Sequence, residues 1–122
     1  MTSLERFCAG LVELGHAPSV VPGTTDRLAF DYVVPSGRHA GRMVRLGFVV
    51  PGDFPATCPS GPHVSPHIHA VGQPGGHPAG AVHVSDFGKE WQYWSRPHPG
   101  WAPSKRTVAA YMSHIWRLWD SQ

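Results

Sequence analysis

Cysteine is scarce in this chain, which has two among its 122 residues. Cys8 and Cys58 do not form a CxxC pair and are too few for a disulfide framework, so the sequence fits a reducing compartment. Charged residues are also few, with ten Lys and Arg scattered among eight Asp and Glu. No basic run supplies the charge density that binding to a phosphate backbone needs, and we expect no nucleic-acid partner.

Long apolar runs are missing as well. No stretch approaches the roughly 20 apolar residues that cross a bilayer, and the N-terminus lacks the basic-then-apolar layout of a signal peptide. We therefore expect a soluble, cytoplasmic protein that does not associate with a membrane. A chain of this length fills one hydrophobic core but not two, which predicts a single α+β domain over residues 1–122.

Helical patterns occur at the two ends of the chain. Thr2 and Glu5 have the spacing of a capping box, and apolar residues recur at helical intervals from there to Gly15. The stretch from near Ser104 to the C-terminus predicts a second helix with one apolar face. That face consists of Val108, Tyr111, Met112, Ile115 and Trp119.

Strand patterns lie between the two helices. Apolar residues alternate over residues 27–34, and a second β-rich run follows at 42–50. These runs predict two antiparallel strands joined by a loop at 36–41. A short strand is expected to begin at residues 20–21, and a brief extended piece lies near 63–64. Together they predict an antiparallel β-meander of about four strands.

The middle of the chain is rich in proline, glycine and histidine. Because four prolines lie between residues 55 and 66, a central strand is not expected there, and the extended piece around His63 is predicted at a sheet edge. Between residues 65 and 100 no helical or strand period is longer than residues 81–85. This predicts a long irregular loop, which in a compact domain usually serves a function.

Two short motifs accompany this order of elements. GDFP at 52–55, with Pro59 and Pro62 after it, resembles the dYPfkPP segment after the third strand of the ubiquitin-conjugating-enzyme (UBC-like) fold. GWAP at 100–103, followed by SKRTV, resembles the WSP…T sequence that leads into the helix after the active site of that family. The resemblance covers most of the chain. It implies a UBC-like arrangement of N-terminal helix, antiparallel meander, long irregular loop and C-terminal helix.

A narrower resemblance lies at residues 87–96, FGKEWQYWSR. It is similar to the WQxWSR segment of a bacterial branch of the fold. Members of that branch tend to be encoded beside ubiquitin-like proteins, adenylyltransferases that resemble activating enzymes, and JAB-type metallopeptidases. The resemblance implies a role in a bacterial ubiquitin-like modification pathway, with these three kinds of protein as partners and antiphage defence as the setting.

The chain departs from the family at the active site. GAVHV at 80–84 aligns in outline with the GxICL-like sequence that carries the catalytic cysteine, so His83 takes the cysteine's place. The preceding His-Pro-Asn triplet is replaced by PHIH at 66–69, without the asparagine that stabilises the developing oxyanion. Thiolate suits ubiquitin transfer because it is nucleophilic at modest pKa and leaves easily, whereas acyl-imidazoles hydrolyse readily. The resemblance therefore predicts a cysteine-less, noncatalytic partner or scaffold.

Two residues remain candidates for catalysis. His83 is either a covalent nucleophile or a hydrogen-bonded histidine on a short strand. Cys58 is the alternative thiol, which an active conjugating enzyme would use after a rearrangement of the site. The competing interpretation of Cys58 is a buried apolar residue, the commonest role of a free cysteine in a small domain.

The histidines suggest a different class of function. His63, His67 and His69 form H-x-x-x-H-x-H, a spacing at which neutral imidazoles bind zinc or another borderline metal. The hypothesis is a histidine-rich metal-binding protein or metalloenzyme. The alternative is a polar, partly solvated loop without a cofactor, in which some histidines cap backbone groups.

The aromatic stretch has two interpretations of its own. Trp91, Trp94 and Trp101, with Arg96 nearby, are typical interface anchors and would bind a ubiquitin-like protein or an activating enzyme. Alternatively, the same side chains attach the long loop to the helix and the sheet.

Overall fold

The computed structural model describes residues 1–68 and 82–121. They form an α+β fold with an N-terminal helix, an antiparallel sheet of six strands and a C-terminal helix, which confirms the predicted class. In chain order the elements are α1 (Ser3–Glu13), β1 (Ser19–Val20), β2 (Arg27–Val33), β3 (Met43–Val49), β4 (His63–Ser65), β5 (Val82–Val84), β6 (Gln92–Trp94) and α2 (Val108–Asp120).

The first helix is built as its capping box predicts. The Thr2 hydroxyl accepts the Glu5 amide hydrogen at 3.1 Å, and the Glu5 carboxylate accepts the Thr2 amide hydrogen at 2.9 Å. Both bonds satisfy amides that a first helical turn leaves unpaired. The helix ends at Glu13, and Gly15 then has φ +91°, a left-handed conformation that glycine adopts without strain.

The last helix begins later than predicted, at Val108. Thr107 is its N-cap, and the Thr107 hydroxyl accepts the Ala110 amide hydrogen at 3.1 Å. Ser104 lies in a preceding turn, where its hydroxyl donates to the Trp101 carbonyl at 2.7 Å and accepts the Arg106 amide hydrogen at 3.0 Å. Arg106 has φ +53°, so the backbone is not yet helical there.

The strands lie in the order β1-β2-β3-β4-β6-β5, and neighbouring strands are antiparallel. The longest ladder joins β2 and β3, from Arg27 opposite Val49 to Val33 opposite Met43. Between these strands the Gly41 amide donates to the Val34 carbonyl at 2.8 Å, which closes the predicted loop. β1 pairs with β2 at the other side, and it lies one residue before the short strand expected to begin at residues 20–21.

Two expectations about the middle of the chain are wrong. β4 is not at a sheet edge, because β6 pairs with it through His63 opposite Tyr93 and Val64 opposite Gln92. The sheet therefore has six strands within the described residues rather than about four. Pro62 and Pro66 flank β4 instead of interrupting it, and the Pro62 carbonyl accepts the Trp94 amide hydrogen at 2.9 Å.

The hydrophobic core lies between one face of the sheet and both helices. Alternate residues of β2 and β3 are buried, and Phe48 contacts both Phe7 of α1 and Tyr111 of α2. The helices touch where Gly10 of α1 meets Val108, since a Cβ at Gly10 would collide with that side chain. Neither helix in the described part of the chain is long and apolar enough to span a bilayer.

Candidate functional site

The two motifs that resemble conjugating enzymes meet in space around Trp101. Its indole Nε1 donates to the carbonyl oxygen of Pro55 at 3.1 Å. Its ring lies 6.0 Å from the Phe54 ring and 6.4 Å from the Tyr111 ring, measured between centroids. Segments 52–55 and 100–103 are thus held together against the start of α2. Trp101 is 5% exposed, so its role is to join these segments.

Cys58 lies near this junction but lacks the environment of a reactive thiol. Its side chain is half-buried against the hydrophobic core, and burial raises its pKa above the ordinary value. A raised pKa means that little thiolate is present at neutral pH, and thiolate is the reactive species. Burial and the Glu5 carboxylate likewise raise the pKa of Cys8 on α1. The structure fits the interpretation of both cysteines as packing residues.

We expect the alkylation rate of Cys58 by iodoacetamide to keep rising with pH through about pH 9, because burial raises the pKa of its thiol. The rate is measured on the Cys8→Ser variant, which leaves one thiol, with N-acetylcysteine as the reference. The Cys58→Ser variant reports on Cys8 in the same way. A rate for Cys58 that already levels off near neutral pH would contradict the structure and favour an activated nucleophile.

His83 lies on β5 with an exposed ring. It stands opposite Tyr93 of β6, and the two ring centroids are 5.9 Å apart. Within the described part of the chain its imidazole has no hydrogen-bond partner. A nucleophile is normally activated by an adjacent base that a third group holds in place, and His83 has neither among these residues. The position that resembles the cysteine site thus carries a solvent-facing imidazole.

His63 is buried on the face of the sheet that points away from the helices. Its Nδ1 lies 2.7 Å from the Ser85 hydroxyl oxygen, and its ring stacks on Phe87 at a centroid distance of 4.2 Å. Burial lowers its pKa to about 4, while Asp86 acts to raise it and Arg27 to lower it. The ring is therefore neutral at pH 7 and is already engaged by side chains.

His67 is held in a different way from His63. Its Nε2 donates to the backbone carbonyls of Lys89 and Trp91, at 3.1 and 3.0 Å. His69, the third residue of the predicted metal cluster, lies outside the described residues. Residues 1–68 and 82–121 contain no group of three or more His, Cys, Asp or Glu side chains placed to hold a metal. The metal site at His63, His67 and His69 thus stays a prediction.

The predicted aromatic anchors are largely buried. Trp94 is inaccessible to solvent, packs on Trp119 at 4.9 Å, and donates its indole N–H to the Gln92 side-chain oxygen at 3.0 Å. Arg96 is 4% exposed. Trp91 alone among the three predicted tryptophan anchors keeps partial exposure. In this structure the stretch attaches the loop to the sheet and α2, which was the alternative interpretation.

Sequence reasoning missed a cluster on the outer face of the sheet. The Phe87 ring lies against Gly47, where any Cβ would collide with the ring. Arg27 stands 5.6 Å from the Phe87 centroid and pairs with Asp86 at 2.8 Å. Trp91 packs on Phe87 at 5.2 Å. A glycine inside a strand signals such a close approach, so Gly47 was the clue in the sequence.

An open groove of about 640 Å³ lies between the end of α1, β2 and α2. Large apolar side chains remain exposed along it: Leu14 at 43%, Val33 at 55% and Trp116 at 45%. Trp119, one turn along α2, is fully buried, so the two tryptophans of this helix divide between surface and core. Among the described residues, the groove thus exposes aromatic and aliphatic side chains close to one another.

No family model, curated protein or solved structure matches this chain.

Proposed function

We propose that this protein is a noncatalytic, UBC-like member of a bacterial ubiquitin-like modification pathway. It binds a ubiquitin-like protein or the adenylyltransferase that activates it, and no thioester forms on it. Supporting features are the element order of helix, antiparallel sheet, irregular segment and helix, and the contact between segments 52–55 and 100–103 through Trp101.

The noncatalytic part of this proposal rests on the surroundings of the two candidate nucleophiles. Cys58 is half-buried and has a raised pKa, and His83 is exposed without an activating partner among the described residues. Acyl transfer from an activating enzyme requires a thiolate that is both accessible and populated at neutral pH. Neither residue meets that requirement, so holding a partner is the activity that remains.

The exposed groove supports the binding part of the proposal. Tryptophan is enriched among the residues that dominate binding energy at interfaces, and Trp116 is exposed beside Leu14 and Val33. The buried residues Trp94 and Trp101 are not available for such contacts in this structure. We therefore assign partner docking to the groove around Trp116 rather than to the 91–101 segment.

The test uses an adenylyltransferase and a ubiquitin-like protein of the proposed pathway, with ATP. We expect no reductant-sensitive adduct on the wild-type protein. In calorimetric titrations, the ubiquitin-like protein or the adenylyltransferase should bind wild type, and Trp116→Ala should weaken that binding by about tenfold or more. The matched control is Val84→Ala, which removes an exposed apolar side chain from β5 at the far edge of the sheet and should leave affinity unchanged.

Two results would overturn the proposal. An adduct that disappears in the Cys58→Ser variant would make this an active conjugating enzyme. Failure of both partners to bind wild type would remove the docking role. Equal affinities for Trp116→Ala and wild type would agree with partner binding but would place the docking surface outside the groove.

A further inference from the structure

One edge of β2 is open along its second half. The ladder between β1 and β2 ends at Ala29, which stands opposite Ser19. Among the described residues, positions 30–33 of β2 have a strand partner in β3 only. The exposed edge of a strand presents backbone N–H and C=O groups to which another chain can pair.

The backbone groups that face this edge belong to Asp31 and Val33. The Val34 amide donates to the Arg42 carbonyl at 2.9 Å, on the side of β3. Hydrogen-bonding direction alternates along an antiparallel strand, so the N–H and C=O groups of Asp31 and Val33 point to the opposite side. Within the described part of the chain no backbone hydrogen bond reaches them there, and Pro18, just before β1, has no N–H to offer.

The groove around Trp116 lies beside the open edge. Val33 and Pro35 line it on the side of the sheet, Leu14 lines it at the end of α1, and Trp116 lines it on α2. Side chains of a strand alternate between its two faces. Every second side chain of a strand added at β2 would therefore point toward the exposed apolar surface of Leu14 and Trp116.

Tyr32 adds a hydrogen-bond donor to the groove. It is 7% exposed and lines the groove, and its hydroxyl has no hydrogen-bond partner among the described residues. Burial raises its pKa to about 12, so the hydroxyl keeps its proton at neutral pH. A largely buried hydroxyl is costly unless it is hydrogen-bonded, and an acceptor on a bound molecule would supply that bond.

The charge of the groove favours an acidic occupant. None of the described residues that line it is acidic, and Arg117 is exposed at its rim. The Arg117 guanidinium forms no ion pair with any other described residue. Asp31 carries the opposite charge, but its carboxylate pairs with Arg45 at 3.2 Å on the outer face of the sheet. A carboxylate of the occupant can thus reach an unpaired arginine.

We propose that an extended, acidic segment of the partner adds a strand to β2 at residues 31–33 and places alternate apolar side chains in the groove around Trp116. The inference rests on the proposed function for the identity of the partner, and it names the conformation and chemistry of the segment that binds. A bound helix would leave the edge groups of Asp31 and Val33 unpaired, whereas an extended segment hydrogen-bonds to them.

The test begins with a phage-displayed library of random peptides of about ten residues, the length of a long strand. Peptides are selected on the wild-type chain and counter-selected on Trp116→Ala. We expect the enriched peptides to carry apolar residues at alternate positions and at least one Asp or Glu.

Methylation of single peptide nitrogens then reports the bound conformation. In calorimetric titrations of the full chain, we expect methylation at alternate positions to weaken binding by about tenfold or more, because each such change removes a hydrogen bond to β2. Methylation at the positions between should have little effect, since those N–H groups point away from the edge. A helical peptide would instead lose affinity at every position in its middle.

Val33→Pro tests the edge from the side of the protein. It removes an amide hydrogen that points away from β3, so the β2–β3 ladder keeps its hydrogen bonds. Peptide binding should weaken by about tenfold or more, whereas Val33→Ala, which keeps the amide, should lose no more than about threefold. Circular dichroism and urea unfolding check that Val33→Pro is folded, and the methylation scan gives the answer without altering the protein.

Two further variants test the charge and the location. Arg117→Gln should weaken peptide binding by about threefold, the usual effect of an exposed ion pair. Val84→Ala, at the opposite edge of the sheet, should leave it unchanged.

Three outcomes would overturn the proposal. The first is that no enriched peptide depends on Trp116. The second is that methylation weakens binding without a period of two, or that folded Val33→Pro binds as tightly as wild type. The third is that the free chain sediments as a stable dimer that Val33→Pro dissociates, which would assign the edge to a second copy.

These results are distinct from the titrations with whole partner proteins. If the peptides bind as an added strand while neither partner protein binds wild type, the proposed pathway fails and the strand site remains. If a partner protein binds in a manner that depends on Trp116 but not on the Val33 amide, the strand pairing fails and the proposed function remains.

Discussion

Gly37→Ala should destabilise the protein far more than Gly41→Ala, although both glycines lie in the same loop and have nearly the same backbone conformation. Their φ angles are +81° and +85°. A left-handed alanine costs roughly 1 to 2 kcal/mol at either position. A Cβ at Gly37 would in addition collide with the backbone carbonyl oxygen of Trp119, whereas at Gly41 it would meet nothing within 4 Å.

The collision at Gly37 involves backbone, which cannot rotate away as a side chain can. The loop between β2 and β3 must therefore lift from the end of α2, and overpacking of this kind typically costs about 1 to 3 kcal/mol more. We expect a loss of about 2 to 5 kcal/mol for Gly37→Ala and about 1 to 2 kcal/mol for Gly41→Ala.

Urea unfolding followed by tryptophan fluorescence measures both losses, because Trp119 lies at the contact. Equal losses for the two variants would mean that the loop does not pack on α2 in solution. The comparison is well matched, since the substitutions differ only in the space available to one methyl group.

Local signals in the sequence predicted the two helices and the β2–β3 ladder well. The Thr2 and Glu5 capping box and the alternation over residues 27–34 are read from neighbours a few positions apart, so no tertiary information is needed. Thr107 is the N-cap of α2, so the start of the helix was placed too early, near Ser104. The Ser104 hydroxyl is instead used by the turn that positions Trp101.

β6 escaped prediction because its signal is three residues long and includes a buried polar residue. Gln92 is inaccessible to solvent, yet its side-chain oxygen accepts hydrogen bonds from the Ile68 amide and the Trp94 indole. Because these hydrogen bonds satisfy its side-chain oxygen, Gln92 is buried at little cost in free energy. One of the two donors, Ile68, is distant from Gln92 in the sequence. β4 was expected at a sheet edge because its second neighbour is β6, the strand that the sequence did not predict.

The candidate site was predictable only in part for the same reason. The burial of Cys58 follows from the usual behaviour of a free cysteine, and it was foreseen as one of two interpretations. The outer-face cluster depends on Phe87 reaching Gly47 across about forty residues of chain. A glycine in a strand indicates that another group lies close to the backbone, but it does not identify the side chain that does so.

The stability of the protein should fall between about pH 6.5 and pH 4 because of His63. In the unfolded chain a histidine has a pKa of about 6.5, whereas burial lowers the pKa of His63 in the fold to about 4. Between these values the unfolded state binds a proton that the folded state does not, so lowering the pH favours unfolding. The slope is about 1.4 kcal/mol per pH unit, and the total loss approaches about 3 kcal/mol.

The charged groups facing His63 do not reverse this sign. Asp86 favours the imidazolium and Arg27 opposes it, and these two residues pair with each other at 2.8 Å, so burial remains the dominant influence. Urea unfolding at a series of pH values should show that His63→Gln, which keeps a polar group beside Ser85, has a flatter acid slope than wild type. His83→Gln is the matched control on β5, the strand beyond β6, where the imidazole is exposed, and its curve should parallel wild type. If His63→Gln and wild type lose stability in parallel as the pH falls, the fold does not hold the His63 imidazole neutral. Its stacking on Phe87 and its hydrogen bond to Ser85 would then not form the buried environment described above.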